Sequence, residues 1–127
     1  MALAKTARTI VASTSNGAGS TTRGTLDLEA TYGGFLTLKI TNGGTGPTVA
    51  CNANVLVAHN ATLPTAASAG GDWKTIYSIN GGVTANDITE RGFAIDPSIM
   101  ALEVEFTGNT GQAVTVEAVF SELTSAV

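Results

Sequence analysis

The chain has 127 residues, with 6 Lys and Arg, 10 Asp and Glu and one His, so its formal net charge is −4 at pH 7. Charged residues make up only 13% of the sequence, against roughly 25% in ordinary soluble domains. A single Cys excludes a disulfide scaffold, and no segment approaches the roughly 18 apolar residues of a membrane-spanning helix. Six cations against ten acids offer no strong basic face, so we expect neither nucleic acid nor a membrane as a partner.

The N-terminal residues 1–12 are predicted to form an arm, followed by one β-sandwich domain over residues 13–127. Three of the six cations precede Asp27, the first acid, so this end of the chain is basic and the remainder is acidic. The apolar stretch after the first cations is too short for the core of a signal peptide, which predicts synthesis without one. An arm of this kind adds a strand to a sheet edge of a neighbouring subunit. The expected interface residues of the arm are Lys5, Arg8, Thr9, Ile10 and Val11.

Glycine doublets and a strict alternation of apolar and polar residues predict an all-β fold. The doublets Gly33-Gly34, Gly43-Gly44, Gly70-Gly71 and Gly81-Gly82 mark turns, because Gly accepts positive φ without a steric clash. Between the turn signals, apolar residues recur at every second position, which is typical of antiparallel strands with one buried face. We expect one domain of about eight strands, an antiparallel β-sandwich or jelly roll. The predicted core comprises Leu26, Leu28, Leu36, Leu38, Ile40, Leu102, Val104, Phe106, Val114, Val116 and Phe120.

Two local features are predicted in the C-terminal half. Residues 100–107 and 112–120 are expected to form a hairpin across the four-residue loop Gly108-Asn109-Thr110-Gly111. The segment from Thr84 to Arg91 is expected to contain a single helical turn. The hairpin would place three carboxylates on one solvated side, those of Glu103, Glu105 and Glu117.

The residues that carry catalysis in other proteins are scarce in this sequence. His59 follows Cys51 by eight residues, which corresponds to about 26 Å on a straight strand and excludes a Cys–His unit. Nothing resembles a calcium loop. We therefore expect no catalytic, cofactor-binding or metal-binding residue, no small-molecule substrate and no enzymatic activity. Cys51 is expected to be a buried, inert thiol on a face shared with Val49, Ala53, Val55 and Val57.

Trp73 and Tyr77 stand four residues apart on a predicted strand, so strand periodicity places them on one face. Large aromatic side chains dominate the energetics of cores and interfaces, which favours a core wall or an interface anchor. A carbohydrate-binding groove lined by the same two rings remains open as an alternative.

The low charge also predicts that part of the surface is covered by a partner. A chain of 12.8 kDa exposes roughly 6,300 Å² as a monomer, and sixteen charged residues are sparse cover for that area. The fully buried centres of protein interfaces are depleted in charged residues. We therefore expect much of this surface to be covered by other copies or by another protein.

The C-terminal half contains Asp96-Pro97-Ser98-Ile99, an alternating strand, Thr107-Gly108-Asn109-Thr110-Gly111 and Val114-Thr115-Val116-Glu117-Ala118. This run, about a third of the chain, resembles the small all-β virion proteins of tailed bacteriophages, capsid decoration (cement) proteins most of all. The resemblance implies a β-sandwich or jelly roll that oligomerises on the head lattice and stabilises it. It implies the major capsid protein and sister copies, in a dimer or trimer, as partners. It also implies a place on the capsid surface of the virion after synthesis in the host cytoplasm.

Two other functions are compatible with the same composition. The chain fits a tail or fibre component of the same virion, since composition does not separate head from tail. It also fits a carbohydrate-binding β-sandwich module that uses Trp73 and Tyr77.

Overall fold

The computed structural model describes residues 3–66 and 72–126, and the regular structure within them is entirely β-strand. The third glycine doublet, Gly70-Gly71, and the first two residues of the predicted arm lie outside the described residues. The strands are β1 (Leu3–Asn16), β2 (Thr22–Asp27), β3 (Gly34–Asn42), β4 (Asn52–Ala58), β5 (Lys74–Asn80), β6 (Ile88–Ile95), β7 (Ala101–Thr107) and β8 (Val114–Ala126). The all-β prediction and the number of strands are confirmed.

The strands form two four-stranded antiparallel sheets. Sheet A has the order β1-β8-β3-β6, and sheet B has the order β2-β7-β4-β5. Among consecutive strands, only β4 and β5 are hydrogen-bonded neighbours; every other connection between described strands passes from one sheet to the other. Eight strands in two sheets with such crossing connections form a jelly roll.

The core lies between the two sheets, where the alternating apolar residues of both meet. All eleven predicted core residues are buried, and Phe106 of β7 and Phe120 of β8 are its largest fully enclosed side chains. Cys51 is buried as predicted. Val49 is 54% exposed, contrary to the prediction, because it precedes β4 and forms only an isolated bridge with Thr110. The period-two pattern therefore located the buried face within the strands but not beyond their ends.

The predicted hairpin between residues 100–107 and 112–120 is wrong. The strand β7 pairs with β2 and β4 in sheet B, whereas β8 pairs with β1 and β3 in sheet A. The loop between them crosses the end of the sandwich, with Gly108 and Gly111 both at positive φ. Consequently Glu117 lies on the opposite side of the molecule from Glu103 and Glu105, and the predicted cluster of three carboxylates does not form.

The predicted N-terminal arm is part of the sandwich from its first described residue. The strand β1 pairs with β8 from Leu3 to Asn16, with register shifts at Ala4/Lys5, Thr9/Val11 and Val11/Thr14. The boundary expected at residue 12 therefore does not divide the chain. Because β1 is an outer strand of sheet A, its second edge has no partner strand among residues 3–66 and 72–126.

The helical turn predicted between Thr84 and Arg91 is also absent. A tight turn ends at Asn86, whose φ of 62° is left-handed, and β6 begins two residues later. The Nδ2 of the buried Asn42 donates to the carbonyl oxygen of Thr84 at 2.9 Å and holds this turn against the end of β3. The residues after this turn are extended rather than helical, because those of β6 pair with residues of β3 in an antiparallel ladder.

Candidate interaction surface

The outer face of sheet A is a broad surface with few charges. We use this name for the side chains of the four strands that point away from the core. They belong to Lys5, Ala7, Thr9, Ser13 and Ser15 of β1, Thr115, Glu117, Val119, Ser121 and Leu123 of β8, Phe35, Thr37, Lys39 and Thr41 of β3, and Ile88, Glu90, Gly92 and Ala94 of β6. Small and β-branched residues dominate the set, so a partner can approach this face closely.

The four charges of this face are divided between its two ends. Lys39 lies opposite Glu117 in the register of β3 and β8, and its Nζ is 3.5 Å from the Oε1 of Glu90. Lys5 lies at the other end of the face, opposite Leu123. It forms no ion pair within the described part of the chain. One end therefore carries a net charge of +1 and the other a net charge of −1.

Two large apolar side chains of this face are exposed, although a sheet face that only contacts solvent needs no such residues. Phe35 is 51% exposed and Ile88 is 60% exposed. The ring of Phe35 lies over Gly92, where a Cβ atom would stand 2.5 Å from the ring. Beside it, an open groove of about 290 Å³ is lined by Lys5, Gly34, Phe35, Ser121 and Leu123. An exposed aromatic ring next to an apolar groove marks a contact surface.

The sequence already contained a signal for these residues. Phe35 and Ile88 stand on the polar side of the period-two alternation, where Thr37 and Lys39 are their neighbours. An aromatic side chain in that position cannot reach the core of its own domain. Neither Phe35 nor Ile88 is among the interface residues that the sequence predicts.

The interface residues predicted for the arm lie in different environments. Lys5 and Thr9 lie on the outer face of sheet A. Arg8 instead directs its guanidinium to Glu122, with 3.0 Å between its Nη1 and the Oε2 of that buried carboxylate. Ile10 and Val11 pack on the core of their own chain. Only the first two are therefore placed to contact a neighbour through their side chains.

Trp73 and Tyr77 do not share a face, contrary to the prediction. The register of β5 against β4 shifts between Val55 and Leu56, so that β5 contributes one extra residue there. A bulge of this kind reverses the alternation. The indole of Trp73 lies in a small cluster outside the main core, 8% exposed, and its Nε1 donates to the carbonyl oxygen of Thr65 at 2.8 Å.

Tyr77 turns towards the interior of the sandwich at its open side. Its ring stacks on Phe93 of β6, with 4.3 Å between the ring centroids and 14° between the planes. The contact joins the outer strands β5 and β6 of the two sheets. The ring of Trp73 is therefore enclosed, whereas Tyr77 is 39% exposed with Phe93 covering one face of its ring.

One part of the outer face of sheet B is polar and internally hydrogen-bonded, and the remainder carries the small apolar cluster of Trp73 with Leu56, Ala58 and Ala101. Arg23 forms ion pairs with Glu105 and, at 3.7 Å, with the fully buried Glu103. Glu105 also accepts a 2.9 Å hydrogen bond from the Nδ2 of Asn54, whose Oδ1 accepts one from Ser78 at 2.7 Å. The network crosses all four strands, so the charges on this face are satisfied within the chain.

The remaining candidates for chemistry are isolated. His59 is exposed just after β4 ends, and Cys51 is buried. Burial raises the pKa of the Cys51 thiol to about 11, which keeps it protonated at neutral pH. Within residues 3–66 and 72–126, no group of three or more His, Cys, Asp or Glu is arranged to hold a metal ion. The described residues likewise contain no helix of the length and apolarity that crossing a membrane requires.

Comparison with known proteins identifies the fold but no family. No family model matches this sequence, and no curated protein matches it either. Among solved structures, the K3 cleaved adhesin domain of Lys-gingipain from Porphyromonas gingivalis has a TM-score of 0.61 at 8% identity, over 86% of this chain and 72% of that domain. A protein in the structure of infectious bursal disease virus, Gx strain, has a TM-score of 0.53 at 10% identity.

The viral likeness covers 98% of this chain but only 33% of the viral polypeptide, so this chain corresponds to about a third of that protein. The SPBc2 prophage-derived protein YomS is covered over 96% of its length at 15% identity, but a TM-score of 0.46 is too low to support an inference. Identities this low show a shared fold and nothing about activity. This chain is an all-β jelly-roll domain whose architecture is also found in a bacterial adhesin and in a virus.

Proposed function

We propose that this chain is a structural, non-enzymatic virion protein: a capsid decoration protein that packs on the phage head through the outer face of sheet A. The observation that carries the proposal is that this face has no net charge and exposes Phe35 and Ile88. The resemblance of the C-terminal half to decoration proteins supplies the setting. The proposed partners are the major capsid protein and sister copies.

The physical case rests on the cost of covering each face. Small residues such as Ala7, Thr37 and Gly92 lose little side-chain entropy when a partner covers them. Burying the Phe35 ring gains on the order of 25 cal/mol per Å² of apolar area. The outer face of sheet B would instead require desolvation of an ion-paired network around Arg23, which is costly. The outer face of sheet A is therefore the favoured contact surface.

The test is to locate the protein on the intact particle. Purified particles are labelled with an antibody against this chain and imaged by electron microscopy. Label distributed over the head supports the proposal. Label confined to the tail or fibres contradicts it in favour of the tail alternative, and particles without label contradict any role as a virion component.

A pair of variants tests which face makes the contact. Thr37→Glu places a carboxylate at the centre of the outer face of sheet A, whereas Thr75→Glu places one on the exposed outer strand of sheet B. We expect the first variant to lose its place on the particle and the second to keep it. Both should retain the circular dichroism spectrum of a β protein, because both side chains are exposed.

A carbohydrate-binding module is the second candidate, and a specific observation favours it. The row of Asn52, Asn54, Ser78 and Asn80 presents side-chain amides and a hydroxyl along β4 and β5, which are groups that bind sugar hydroxyls. Titration calorimetry with soluble oligosaccharides tests this candidate. Binding that Asn54→Ala abolishes would support it, and the absence of heat with every oligosaccharide would contradict it.

A further inference from the structure

We propose that the outer face of sheet A docks on the same face of a second copy of this chain, about a two-fold axis that reverses the strand direction. The inference rests on the proposed function, because it names which partner covers the contact surface. It commits to a symmetric dimer rather than a trimer. Two such copies bury Phe35 and the groove beside it on both sides of one interface.

The distribution of charge on the outer face of sheet A favours a second copy of this chain as its partner. Lys5 stands alone at one end, and Lys39 is placed between Glu90 and Glu117 at the other. A surface with one positive and one negative end is complementary to itself when one copy is reversed. The reversal brings Lys5 of each copy to the acidic end of the other, so that the opposite charges are paired twice.

The other two-fold arrangement of the same faces is disfavoured by the same charges. An axis parallel to the strands would set the basic end of one copy against the basic end of the other and the acidic end against the acidic end. Glu117 would then lie over Lys39 of the other copy, but Lys5 would lie over β6, away from every carboxylate of the face. Like charges placed together in a partly dehydrated interface are repulsive. The net charges of the two ends, and the pairing of Lys5 with an acidic end, therefore favour the reversed orientation.

The face is large and smooth enough for this contact. Four strands about 4.8 Å apart and about nine residues long cover roughly 20 Å by 30 Å, which is of the order of the ~800 Å² that each partner buries in a stable interface. Ala7, Thr9 and Ser121 leave the β1 and β8 side of the face free of long side chains, and the ring of Phe35 lies beside them over Gly92. Two sheets can then approach to the usual distance of about 10 Å.

The full chain is examined by sedimentation equilibrium, alone and with charge reversals. We expect the unaltered chain to be a dimer whose Kd rises with salt, because its pairing charges lie at the rim of the interface. Lys5→Glu and Glu117→Lys should each raise Kd at least about tenfold. The double variant should recover most of the affinity, because it exchanges the two ends without changing the net charge of the face.

Two further variants separate the contact from general effects of charge. Glu29→Lys makes the same change as Glu117→Lys but in an exposed turn next to sheet B, and it should leave Kd unchanged. Thr37→Glu should yield a folded monomer, because it brings two carboxylates together near the axis. Monomers at every soluble concentration, trimers, or dimers that Thr37→Glu leaves intact would each overturn the proposal.

The outcome is independent of whether the proposed function holds. A monomer that still labels the phage head keeps the virion role and overturns the self-docking. A dimer that responds to the charge reversals but is absent from the particle keeps the self-docking and contradicts the virion role.

Discussion

The side-chain amides of Asn16 and Asn109 share a 2.6 Å hydrogen bond, although 93 residues separate them in the chain. Both side chains are buried. The Nδ2 of Asn109 also donates to the carbonyl oxygens of Asn16 and Gln112, at 3.1 Å and 3.0 Å. This pair ties the end of β1 to the loop between β7 and β8, and so holds the crossing from sheet B to sheet A in place.

The first prediction concerns this tie. Asn109→Asp removes the donors that serve the backbone carbonyl groups of Asn16, Gly17 and Gln112 and places a carboxylate against their oxygens. We expect the free energy of unfolding in urea to fall by about 1–3 kcal/mol. The exposed change Gln112→Glu adds the same charge three residues away and should cost less than about 0.5 kcal/mol. Equal losses in the two variants would show that Asn109 has no special role.

The second prediction concerns the segment that the sequence suggested was an arm. Arg8→Ala leaves the carboxylate of Glu122, which is 3% exposed, without its cation. Because Arg8 itself is half-exposed, we expect a loss of about 1–2 kcal/mol of unfolding free energy rather than the full cost of breaking a buried pair. The loss should shrink when Glu122→Gln is already present, and Lys5→Ala should have little effect. A loss that Glu122→Gln does not reduce would contradict the pairing.

The third prediction concerns the stacked rings of Tyr77 and Phe93. Their contact closes the open side of the sandwich between β5 and β6. A double-mutant cycle with Tyr77→Ala and Phe93→Ala should give a coupling energy of about 0.5–1.5 kcal/mol. The same cycle between Tyr77→Ala and the distant Phe35→Ala should give a value near zero. Strict additivity of the first pair would mean that the rings contribute independently.

The fourth prediction compares two phenylalanines on opposite sides of their sheets. Phe106 is fully buried in the core, and Phe35 is 51% exposed on the outer face of sheet A. Phe106→Ala should lower the free energy of unfolding by about 3–5 kcal/mol. Phe35→Ala should change the stability of the isolated chain by less than about 1 kcal/mol while weakening its association. A cost below about 1 kcal/mol at Phe106 would contradict its assignment to the core.

The fifth prediction is a dependence of stability on pH at Cys51. Burial raises the pKa of its thiol from 9.0 to about 11, so the folded chain holds this proton over a range in which the unfolded chain releases it. The stability due to Cys51 is therefore constant below pH 9 and falls as the pH rises from 9 towards 11, by at most about 1.4 kcal/mol per pH unit.

Urea unfolding of the unaltered chain and of Cys51→Ala from pH 7 to 10.5 measures this effect. The difference in unfolding free energy between the two should stay constant up to pH 9 and shrink above it. A difference that stays the same throughout would mean that the thiol titrates alike in both states. Thiol reagents should also react with Cys51 far more slowly in the native chain than in urea.

The alternation of apolar and polar residues was sufficient to predict the eleven core side chains that are buried between the two sheets. Leu36, Leu38 and Ile40 of β3 are fully buried as that pattern requires, because the period of two follows from the geometry of a single extended strand. The same local logic predicted the number of strands. It missed Phe35, since the outward side of a strand was treated as solvated.

Partner choice between strands was decided only by the tertiary structure. The strand β7 would bury Leu102, Val104 and Phe106 equally well beside β8 or between β2 and β4, so no local pattern distinguishes the hairpin from the crossing that forms. The buried amide pair of Asn16 and Asn109 stabilises the crossing through contacts 93 residues apart.

The sequence by itself determined an all-β domain with a defined core and a weakly charged surface, because those properties depend on residues within one strand. Only the tertiary structure decided that the first residues form a strand beside β8 and that a bulge separates Trp73 from Tyr77. It also decided that Lys5 and Glu117 occupy opposite ends of one face. Each of these depends on register between strands, which the free energy of the whole sandwich sets and no single strand encodes.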